Sequence, residues 1–352
     1  MFGVLLVNLM VFTGDAGAGT AVTDLDQILA WTRDTAFNGK SYLVLAMVFG
    51  YSLGLQMRVV GTVPERRRAL TRRLVALAFL GVLHGLLLYR YDILFAYGVL
   101  GYIAYLLRRH STKTLLALCA GLTVAGSWAL LRSIDTRGFA RFGPAVAVER
   151  YRNGSIFDLI ELHIRNHLAN VTGEMIRQWP FAFTAILLGV LAERHDVVSS
   201  LKSPGPLRFI LGLTGVIGGT VLVLTSLPGE RSFGVVMNVV SPVSPLAFAI
   251  GVTTGVAALM NMHSWPARVF SSIGRMSLTV YLTQSIVCTT VLYGFGFGLA
   301  RLFRPTVQLF FTVALFSVQA VLCHLWMQRY RRGPVEALVR RWAGTPSRPT
   351  TR

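Results

Sequence analysis

The side chains best suited to acid–base chemistry lie together in the stretch 81–98, where His84 is followed by Arg90 and Asp92. His84 lies inside an apolar run, and an ionisable group at membrane depth is costly unless it faces a cavity or a partner. An imidazole oriented by a carboxylate is a general-base arrangement, and it equally serves as a proton relay. The alternative is a His–Asp or Arg–Asp pair that only holds two helices together. We predict His84 as the catalytic base and Asp92 as the carboxylate that orients it.

A second group of polar side chains begins at Arg275 and continues into an apolar run that carries Gln284 and Ser285. Arg275 is expected to open a helix at the inner end of a span, where its guanidinium would hold a phosphate of an acyl donor. Gln284 and Ser285 lie deep in that helix, where polar side chains need partners. Interhelical hydrogen bonding is the favoured interpretation of both, and binding of an acceptor by Gln284 is the alternative.

The run Gly50-Tyr-Ser-Leu-Gly54 has the G-x-S-x-G spacing of a nucleophile elbow. That elbow requires a sharp turn between a strand and a helix, whereas this run lies within an apolar helical segment. We therefore reject Ser52 as a nucleophile. The two glycines, like Gly81 and Gly85, instead predict faces on which helices pack closely.

The elements that must position these residues are membrane helices. Of the 352 residues, 53% are hydrophobic and 14% are charged, and the mean hydropathy is +0.58. Soluble proteins contain about 25% charged residues. The net charge of +19 comes from basic residues at the ends of apolar runs, which is typical of membrane topology and not of nucleic-acid binding. The three cysteines lie singly inside apolar runs, so neither a disulfide framework nor a metal site is expected.

The apolar runs predict an all-α fold, a polytopic bundle of about ten transmembrane helices. The predicted spans are 1–13, 41–57, 74–91, 93–107, 114–131, 179–192, 207–226, 246–262, 277–293 and 307–327. The two alternating sets of connecting segments hold 21 and 13 Lys and Arg residues. Seven of the 13 lie in the long segment 132–178, and long segments weigh less in the positive-inside rule. Both termini are therefore expected in the cytoplasm, with the helices spanning the plasma membrane.

The predicted spans divide the chain into four parts. Residues 1–131 hold helices one to five, and 132–178 form an extracytoplasmic segment with an amphipathic helix, whose apolar residues recur every three or four positions. Residues 179–327 hold helices six to ten, and 328–352 are a basic cytoplasmic tail. The first run lacks a basic lead, so we expect its helix to continue upstream of Met1 with an Arg-Gly pair.

The C-terminal motif at 273–336 resembles that of the YeiB-like family of bacterial membrane proteins. It consists of Ile-Gly-Arg-Met-Ser-Leu-Thr at 273–279, Tyr281-Leu282, Gln284-Ser285, Trp326 and Gly-Pro-Val-Glu at 333–336. Further agreement lies at Phe37–Lys40, Gly81–Gly85, Asp92–Leu94 with Tyr97, and Tyr151–Ser155. The resemblance covers nearly the whole chain and implies a polytopic membrane protein from a family with no settled activity.

The YeiB-like family is distantly similar to the transmembrane acyltransferase superfamily, which includes the lysosomal glucosaminide acetyltransferase and sugar and lipid O-acyltransferases. Asn8 matches an Asn in the first helix of that superfamily, and we group Asn8 and Tyr97 with Arg275 and Gln284 as candidate substrate- or cofactor-binding residues. The Arg-Gly pair that opens that helix is absent, and the catalytic His before the second span has no match, since no His precedes His84. The resemblance implies acyl transfer, with His84 as the substitute base.

The leading interpretation is a membrane-embedded acyltransferase that uses acyl-CoA as co-substrate and modifies a lipid, a glycan or a secreted metabolite. One alternative is a transporter or exporter with His84 and Asp92 in its path, and another is a non-catalytic membrane component. Matching halves with broken helices, which would favour transport, are not evident in the sequence. The expected partners are the lipid bilayer, an acyl donor and a small-molecule or lipid acceptor, with no nucleic acid and no resident cofactor.

Overall fold

The computed structural model describes residues 1–13, 23–60, 64–131, 144–201, 203–227, 242–259 and 265–344, and the regular structure in these ranges is helical. The predicted all-α class is therefore confirmed for this part of the chain. A 3₁₀ turn lies at Leu299–Leu302. The helices are α1 (Phe2–Phe12), α2 (Asp24–Ala36), α3 (Ser41–Val60), α4 (Pro64–Leu87), α5 (Leu94–Leu107), α6 (Thr112–Leu131), α7 (Pro144–Asn153), α8 (Ile156–Arg177), α9 (Trp179–Arg194), α10 (Val197–Ser200), α11 (Pro206–Ser226), α12 (Ser244–Leu259), α13 (Trp265–Arg275), α14 (Ser277–Leu292), α15 (Pro305–Arg329) and α16 (Pro334–Ala343).

In the part of the chain that the structure describes, four helices, α4, α6, α11 and α15, are long and apolar enough to cross a membrane. Only 17% to 33% of the residues in their most apolar parts are buried inside the protein, so most of these side chains face outward. Apolar surface on this scale is stable against lipid and not against water. The helices α1, α5, α12 and α14 are also apolar but shorter. The chain is a helical membrane protein.

Each of the ten predicted spans coincides with a helix, but several connecting segments also contain helices, including α2 in the segment 14–40. The basic segment 58–73 was expected to be a loop, whereas α4 begins at Pro64 and includes most of it. Proline suits the first turn of a helix, and Arg, Ala and Leu are good helix formers. The segment 263–275 contains α13, so Arg275 ends one helix instead of opening the next.

The predicted amphipathic helix of the extracytoplasmic segment corresponds to α8, and α7 precedes it. The predicted basic tail contains the end of α15 and the short helix α16. Residues 132–143 and 345–352, which belong to these two predicted parts, lie outside the described residues.

The helices α3 and α9 pack closely within a large hydrophobic core. A Cβ atom on Gly50 would lie 2.1 Å from the carbonyl oxygen of Ile186, and one on Gly189 would lie 2.2 Å from that of Met47. Only glycine permits this backbone contact, which bears out the prediction of a packing face at Gly50. Buried side chains of α4, α5, α6 and α12 join the same core.

Candidate functional site

His84 and Asp92 meet across the turn between α4 and α5. The helix α4 ends at Leu87, and the backbone N–H of Tyr89 donates to the His84 carbonyl oxygen at 2.9 Å as the chain turns away. The reversal brings Asp92 Oδ1 to 2.8 Å from His84 Nδ1. The other carboxylate oxygen, Oδ2, accepts a hydrogen bond of 2.7 Å from the backbone N–H of Phe95.

Asp92 therefore caps the N-terminus of α5 while it contacts the imidazole. Aspartate is favoured at such a position because its side chain accepts a bond from a backbone N–H that has no partner within the helix. Its negative charge also faces the positive end of the helix dipole. Each of the two oxygens has a different partner. The hydrogen bond from the Phe95 N–H to Oδ2 fixes the carboxylate at the start of α5 and so orients Oδ1 toward His84.

Gly81 makes this arrangement possible. A Cβ atom at Gly81 would lie 2.1 Å from the Phe95 backbone nitrogen and 2.5 Å from Asp92 Oδ2. At Gly85 the nearest atom would be Asp92 Cβ at 3.6 Å, which is an ordinary contact. The predicted small-residue face at Gly81 therefore admits the turn that carries the carboxylate.

The second ring nitrogen of His84 faces Ser285, which lies 201 positions later in the chain and near the middle of α14. His84 Nε2 lies 2.8 Å from Ser285 Oγ. The Ser285 hydroxyl also lies 3.4 Å from the Tyr281 carbonyl oxygen, a long and weak alternative acceptor. Sequence reasoning noted Ser285 only as a deep polar residue in need of a partner, and that partner is the predicted base.

The three side chains are enclosed by the bundle. His84 and Ser285 are each 2% exposed, and the Asp92 side chain is 5% exposed. The Tyr281 ring packs against the imidazole, with 4.9 Å between ring centroids. Val4 of α1 and Leu94 of α5 form a buried apolar cluster with Tyr281. A buried imidazole with a carboxylate on one nitrogen and a hydroxyl on the other can move a proton between them.

The other candidate binding residues have partners within the protein, and none contacts His84 by a hydrogen bond in the described part of the chain. Tyr89 Oη donates to Asn8 Oδ1 at 2.9 Å, and Tyr97 Oη donates to the Tyr42 carbonyl at 2.6 Å. The Gln284 amide donates to Gln319 Oε1 at 2.9 Å, which is the predicted interhelical bond. Arg275 is exposed, and its Nη2 donates to the Arg331 carbonyl at 3.0 Å.

Glu336 caps α14, the helix that carries Ser285. Its Oε1 accepts bonds from the backbone N–H groups of Leu278 and Thr279 at 2.8 Å and 3.1 Å, and its Oε2 accepts from the Thr279 hydroxyl at 2.5 Å. The backbone N–H of Val335 donates to the same hydroxyl at 3.2 Å. The two halves of the C-terminal motif thus interlock, although sequence reasoning assigned no role to Glu336.

Arg90 and His163 lie near the same end of α4 without joining the site. The Arg90 guanidinium stacks over the Tyr91 ring at 4.7 Å and lies 5.7 Å from the Tyr151 ring, so Asp92 pairs with the histidine and not with this arginine. His163, 2% exposed, lies 3.0 Å from the Tyr151 hydroxyl through Nε2 and 3.1 Å from a backbone carbonyl through Nδ1.

A cavity of about 140 Å³ lies elsewhere, between α1, α2 and the start of α15. Its lining is mostly apolar, with Phe2, Leu6 and Phe37 on its walls, and Arg33 bonds to Gln308 at one side. It does not include His84 or Ser285. Within the described ranges, no three His, Cys, Asp or Glu side chains form a group that fits a metal ion.

Comparison with known proteins adds relatives but no activity. A family model described as a protein of unknown function (DUF418) matches residues 192–345, which include Ser285 and Glu336. The chain is 31% identical to the uncharacterized protein YxaH of Bacillus subtilis (strain 168), over 86% of this chain and 78% of that protein. It is 27% identical to the uncharacterized protein YeiB of Escherichia coli (strain K12), over 97% and 92%. No solved structure matches the chain.

Proposed function

Because the chain belongs to the YeiB-like family of proteins of unknown function, as its motifs predicted, we propose an activity from the site itself, a membrane-embedded acyltransferase with His84 as its general base. One observation carries the proposal. The imidazole is buried, with the Asp92 carboxylate at 2.8 Å on one nitrogen and a hydroxyl at 2.8 Å on the other. Acceptors of acyl groups are hydroxyls or amines, and each must lose a proton as it attacks the acyl carbon.

The carboxylate decides which nitrogen acts as the base. An ionised carboxylate only accepts hydrogen bonds, so with Asp92 ionised the proton of the neutral imidazole lies on Nδ1 and Nε2 is free to accept. When Nε2 takes up a proton, Asp92 stabilises the imidazolium in a site that excludes water, where opposite charges attract more strongly than in water. General-base catalysis of this kind contributes about 10²- to 10⁴-fold in rate.

Acyl-CoA is the proposed donor, and the proposed acceptor is a lipid, a glycan or a secreted metabolite. A guanidinium has five N–H donors, so the contact of Arg275 with one backbone carbonyl leaves it able to bind a phosphate of the donor. Gln284 and Tyr97 have partners on neighbouring helices, and Asn8 accepts from Tyr89 in the turn between α4 and α5. We therefore assign all three to the positioning of these elements.

The proposal includes about ten membrane-crossing helices, with both termini in the cytoplasm of a bacterium and the bundle in its plasma membrane. The support is that every predicted span coincides with a helix and that basic residues are more numerous in one set of connections, 21 against 13. In this topology Arg275 and Glu336 lie at the cytoplasmic side. A reporter that fluoresces only in the cytoplasm should be bright when fused after Arg352, and a dark, full-length fusion would contradict the topology.

Transfer of a labelled acetyl group tests the function. The purified protein is mixed with [¹⁴C]acetyl-CoA and with lipids and glycans extracted from bacterial membranes, and the labelled products are separated and counted. His84→Asn should lower the rate by about 100-fold or more, because the amide keeps the polarity of the ring but takes up no proton. An unchanged rate in this variant would refute the proposed base.

His163→Asn is the matched control. His163 is equally buried and bonded through both ring nitrogens, and the partners that the structure describes for them are a tyrosine hydroxyl and a backbone carbonyl. We expect this variant to transfer acetyl groups at close to the normal rate if it keeps the wild-type melting temperature. Proton uptake into proteoliposomes that depends on His84, with no labelled product, would establish the transporter alternative instead.

A further inference from the structure

Ser285 completes a hydrogen-bonded series that runs from Asp92 through His84 to a serine hydroxyl. The carboxylate contacts Nδ1 and the hydroxyl contacts Nε2, each at 2.8 Å. Enzymes that transfer acyl groups through a covalent intermediate use the same order of an orienting carboxylate, a base and a nucleophile. His84 and Asp92 meet across one turn of the chain, whereas Ser285 lies 201 residues after His84, so the contact of Ser285 with the base does not follow from local chain geometry.

We infer that Ser285 is the catalytic nucleophile and carries the acyl group as an ester during transfer. The inference rests on the proposed acyltransferase function and specifies its mechanism, because the acyl group then moves in two steps and not directly from donor to acceptor. The family comparison does not assign this role, and sequence reasoning placed Ser285 among interhelical hydrogen bonds.

The two steps balance with the groups present in the site and its substrates. In the first, Ser285 Oγ attacks the thioester carbonyl and its proton moves to His84 Nε2. The new C–O bond forms, the C–S bond breaks, and the proton passes from His84 to the leaving thiolate. In the second, the acceptor hydroxyl or amine attacks the ester while His84 takes its proton. That proton returns to Ser285 Oγ when the ester bond breaks.

The hydrogen bonding of α14 distinguishes Ser285 from three threonines of the same helix. The hydroxyls of these threonines each donate to a backbone carbonyl three or four residues earlier, at 2.9 Å to 3.0 Å, as threonines in apolar helices commonly do: Thr283, Thr289 and Thr290. Thr279, at the start of the helix, donates to Glu336 instead. For Ser285 the backbone acceptor is distant, at 3.4 Å, and the imidazole nitrogen is near, at 2.8 Å. With the imidazole proton on Nδ1, Nε2 is the nearer acceptor, and the hydroxyl proton of Ser285 is directed at the base.

Burial suits a covalent carrier. Ser285 is 2% exposed, so an ester formed there is shielded from water and is not lost to hydrolysis before an acceptor arrives. Glu336 holds the start of α14 through two backbone bonds and one hydroxyl bond, which fixes the position of Ser285 along the helix. On the other side of the imidazole, the absence of a side chain at Gly81 leaves the space in which the turn with Asp92 packs.

Acylation by a small activated ester tests the inference without knowledge of the natural acceptor. The full-length protein in detergent is mixed with p-nitrophenyl acetate, and the release of p-nitrophenolate and the mass of the protein are followed together. We expect a burst of nitrophenolate and one added acetyl group, found by peptide mass spectrometry on Ser285. Ser285→Ala should lose both signals, and His84→Asn should slow them by about 100-fold.

Thr289→Val is the matched control on the same helix. Thr289 is 2% exposed and its hydroxyl bonds only within the helix, so its removal should leave acetylation of Ser285 unchanged. If wild-type protein that transfers acetyl groups from acetyl-CoA gains no acetyl group on Ser285, the inference is wrong. It is also wrong if Ser285→Ala transfers acetyl groups at the normal rate.

The two proposals can fail separately. If His84→Asn is inactive and Ser285→Ala is active, the acyltransferase stands and transfer is direct. If neither substitution changes the rate, both proposals fall. If Ser285→Ala does not fold, Ser285→Cys is the second variant, because its thiol is a nucleophile of similar size. We expect iodoacetamide to alkylate this thiol about 100-fold faster when His84 is present than in the double variant that also carries His84→Asn. Equal alkylation rates, with buried Cys288 as the reference, would overturn the inference.

Discussion

Asp92 and Glu336 are two carboxylates that each cap the N-terminus of a helix. They differ in the hydrogen-bond partners of their second oxygen. Asp92 caps α5 with one oxygen and contacts the His84 imidazole with the other. Glu336 caps α14 with both oxygens, through two backbone N–H groups and the Thr279 hydroxyl. Both contacts organise the same site, since α14 carries Ser285 and the turn before α5 carries the partner of His84.

The difference separates a reacting group from a positioning group. A carboxylate whose oxygens are both bonded to a helix end is a structural element, whereas one with an oxygen on an imidazole can stabilise a charge that forms during a reaction. We therefore expect Asp92 to matter through its charge and Glu336 through its geometry. The following substitutions test that distinction.

The largest effect should come from removing each charge without changing the shape of the side chain. Asp92→Asn should reduce acetyl transfer by about 100-fold or more, because an amide does not stabilise the imidazolium. Asparagine is as good a helix cap as aspartate, so the melting temperature should change little. Glu336→Gln should retain most of the activity, since its amide oxygen still accepts from the helix end. Comparable losses of activity in the two variants would remove the distinction.

The next effect concerns the space that Asp92 needs. Gly81→Ala would place a methyl group against the Phe95 backbone and Asp92 Oδ2, so the turn must move and the contact with His84 must lengthen. We expect a loss of acetyl transfer of roughly 10- to 100-fold, the scale on which a misplacement of about 1 Å affects catalysis. Gly85→Ala has room for its methyl group and should be nearly normal. Equal activity of the two alanine variants would show that the position of the Asp92 turn is unimportant.

Glu336→Ala should act mainly on stability. It removes the charged acceptor from two backbone N–H groups at the start of α14 and from the Thr279 hydroxyl, which should lower the free energy of unfolding by about 2 kcal/mol. Thermal unfolding in detergent measures this loss. At a temperature where the variant is folded, acetyl transfer should fall less than in Asp92→Asn. A variant with full stability and no activity would instead make Glu336 part of the chemistry.

The smallest effect should come from Asp26, a third carboxylate at a helix start. Its Oδ1 accepts from the Thr306 hydroxyl and, at 3.0 Å, from the Thr306 backbone N–H near the start of α15. Mainly the bond from the Thr306 hydroxyl lowers the pKa of Asp26 from 3.8 to about 2. Because the folded-state pKa is depressed, the stabilisation is complete above about pH 4 and is lost as the pH falls through 2.

The melting temperatures of wild type and Asp26→Asn, measured between pH 6 and pH 2, check this expectation. The advantage of the wild type should be constant down to about pH 4 and should shrink below it. Acetyl transfer at neutral pH should be similar in both proteins, since Asp26 has no contact with the His84 site. A difference in melting temperature that does not change with pH would mean that the Asp26 charge contributes nothing.

Sequence reasoning found His84 and Asp92 because they are eight residues apart and stand out as ionisable groups beside an apolar run. It also predicted ten apolar spans, and a helix lies at each of them. It missed the helical character of the basic segment 58–73, because hydropathy separates membrane from water but does not separate a loop from a polar helical extension. It placed Arg275 at the start of a helix that begins after Met276.

The sequence by itself therefore determined the all-α class of the protein, the helices that contain the predicted spans and the candidate pair of His84 and Asp92, because apolar runs and close spacing depend on neighbouring residues. Only the tertiary structure decided which hydroxyl faces the base and which carboxylate holds the helix that carries it. Ser285 lies 201 residues from His84, and Glu336 lies 58 residues from Leu278. Contacts at that separation depend on how the helices pack. A polar residue in an apolar helix could bond to polar residues on several other helices, and the sequence does not show which of them will lie beside it.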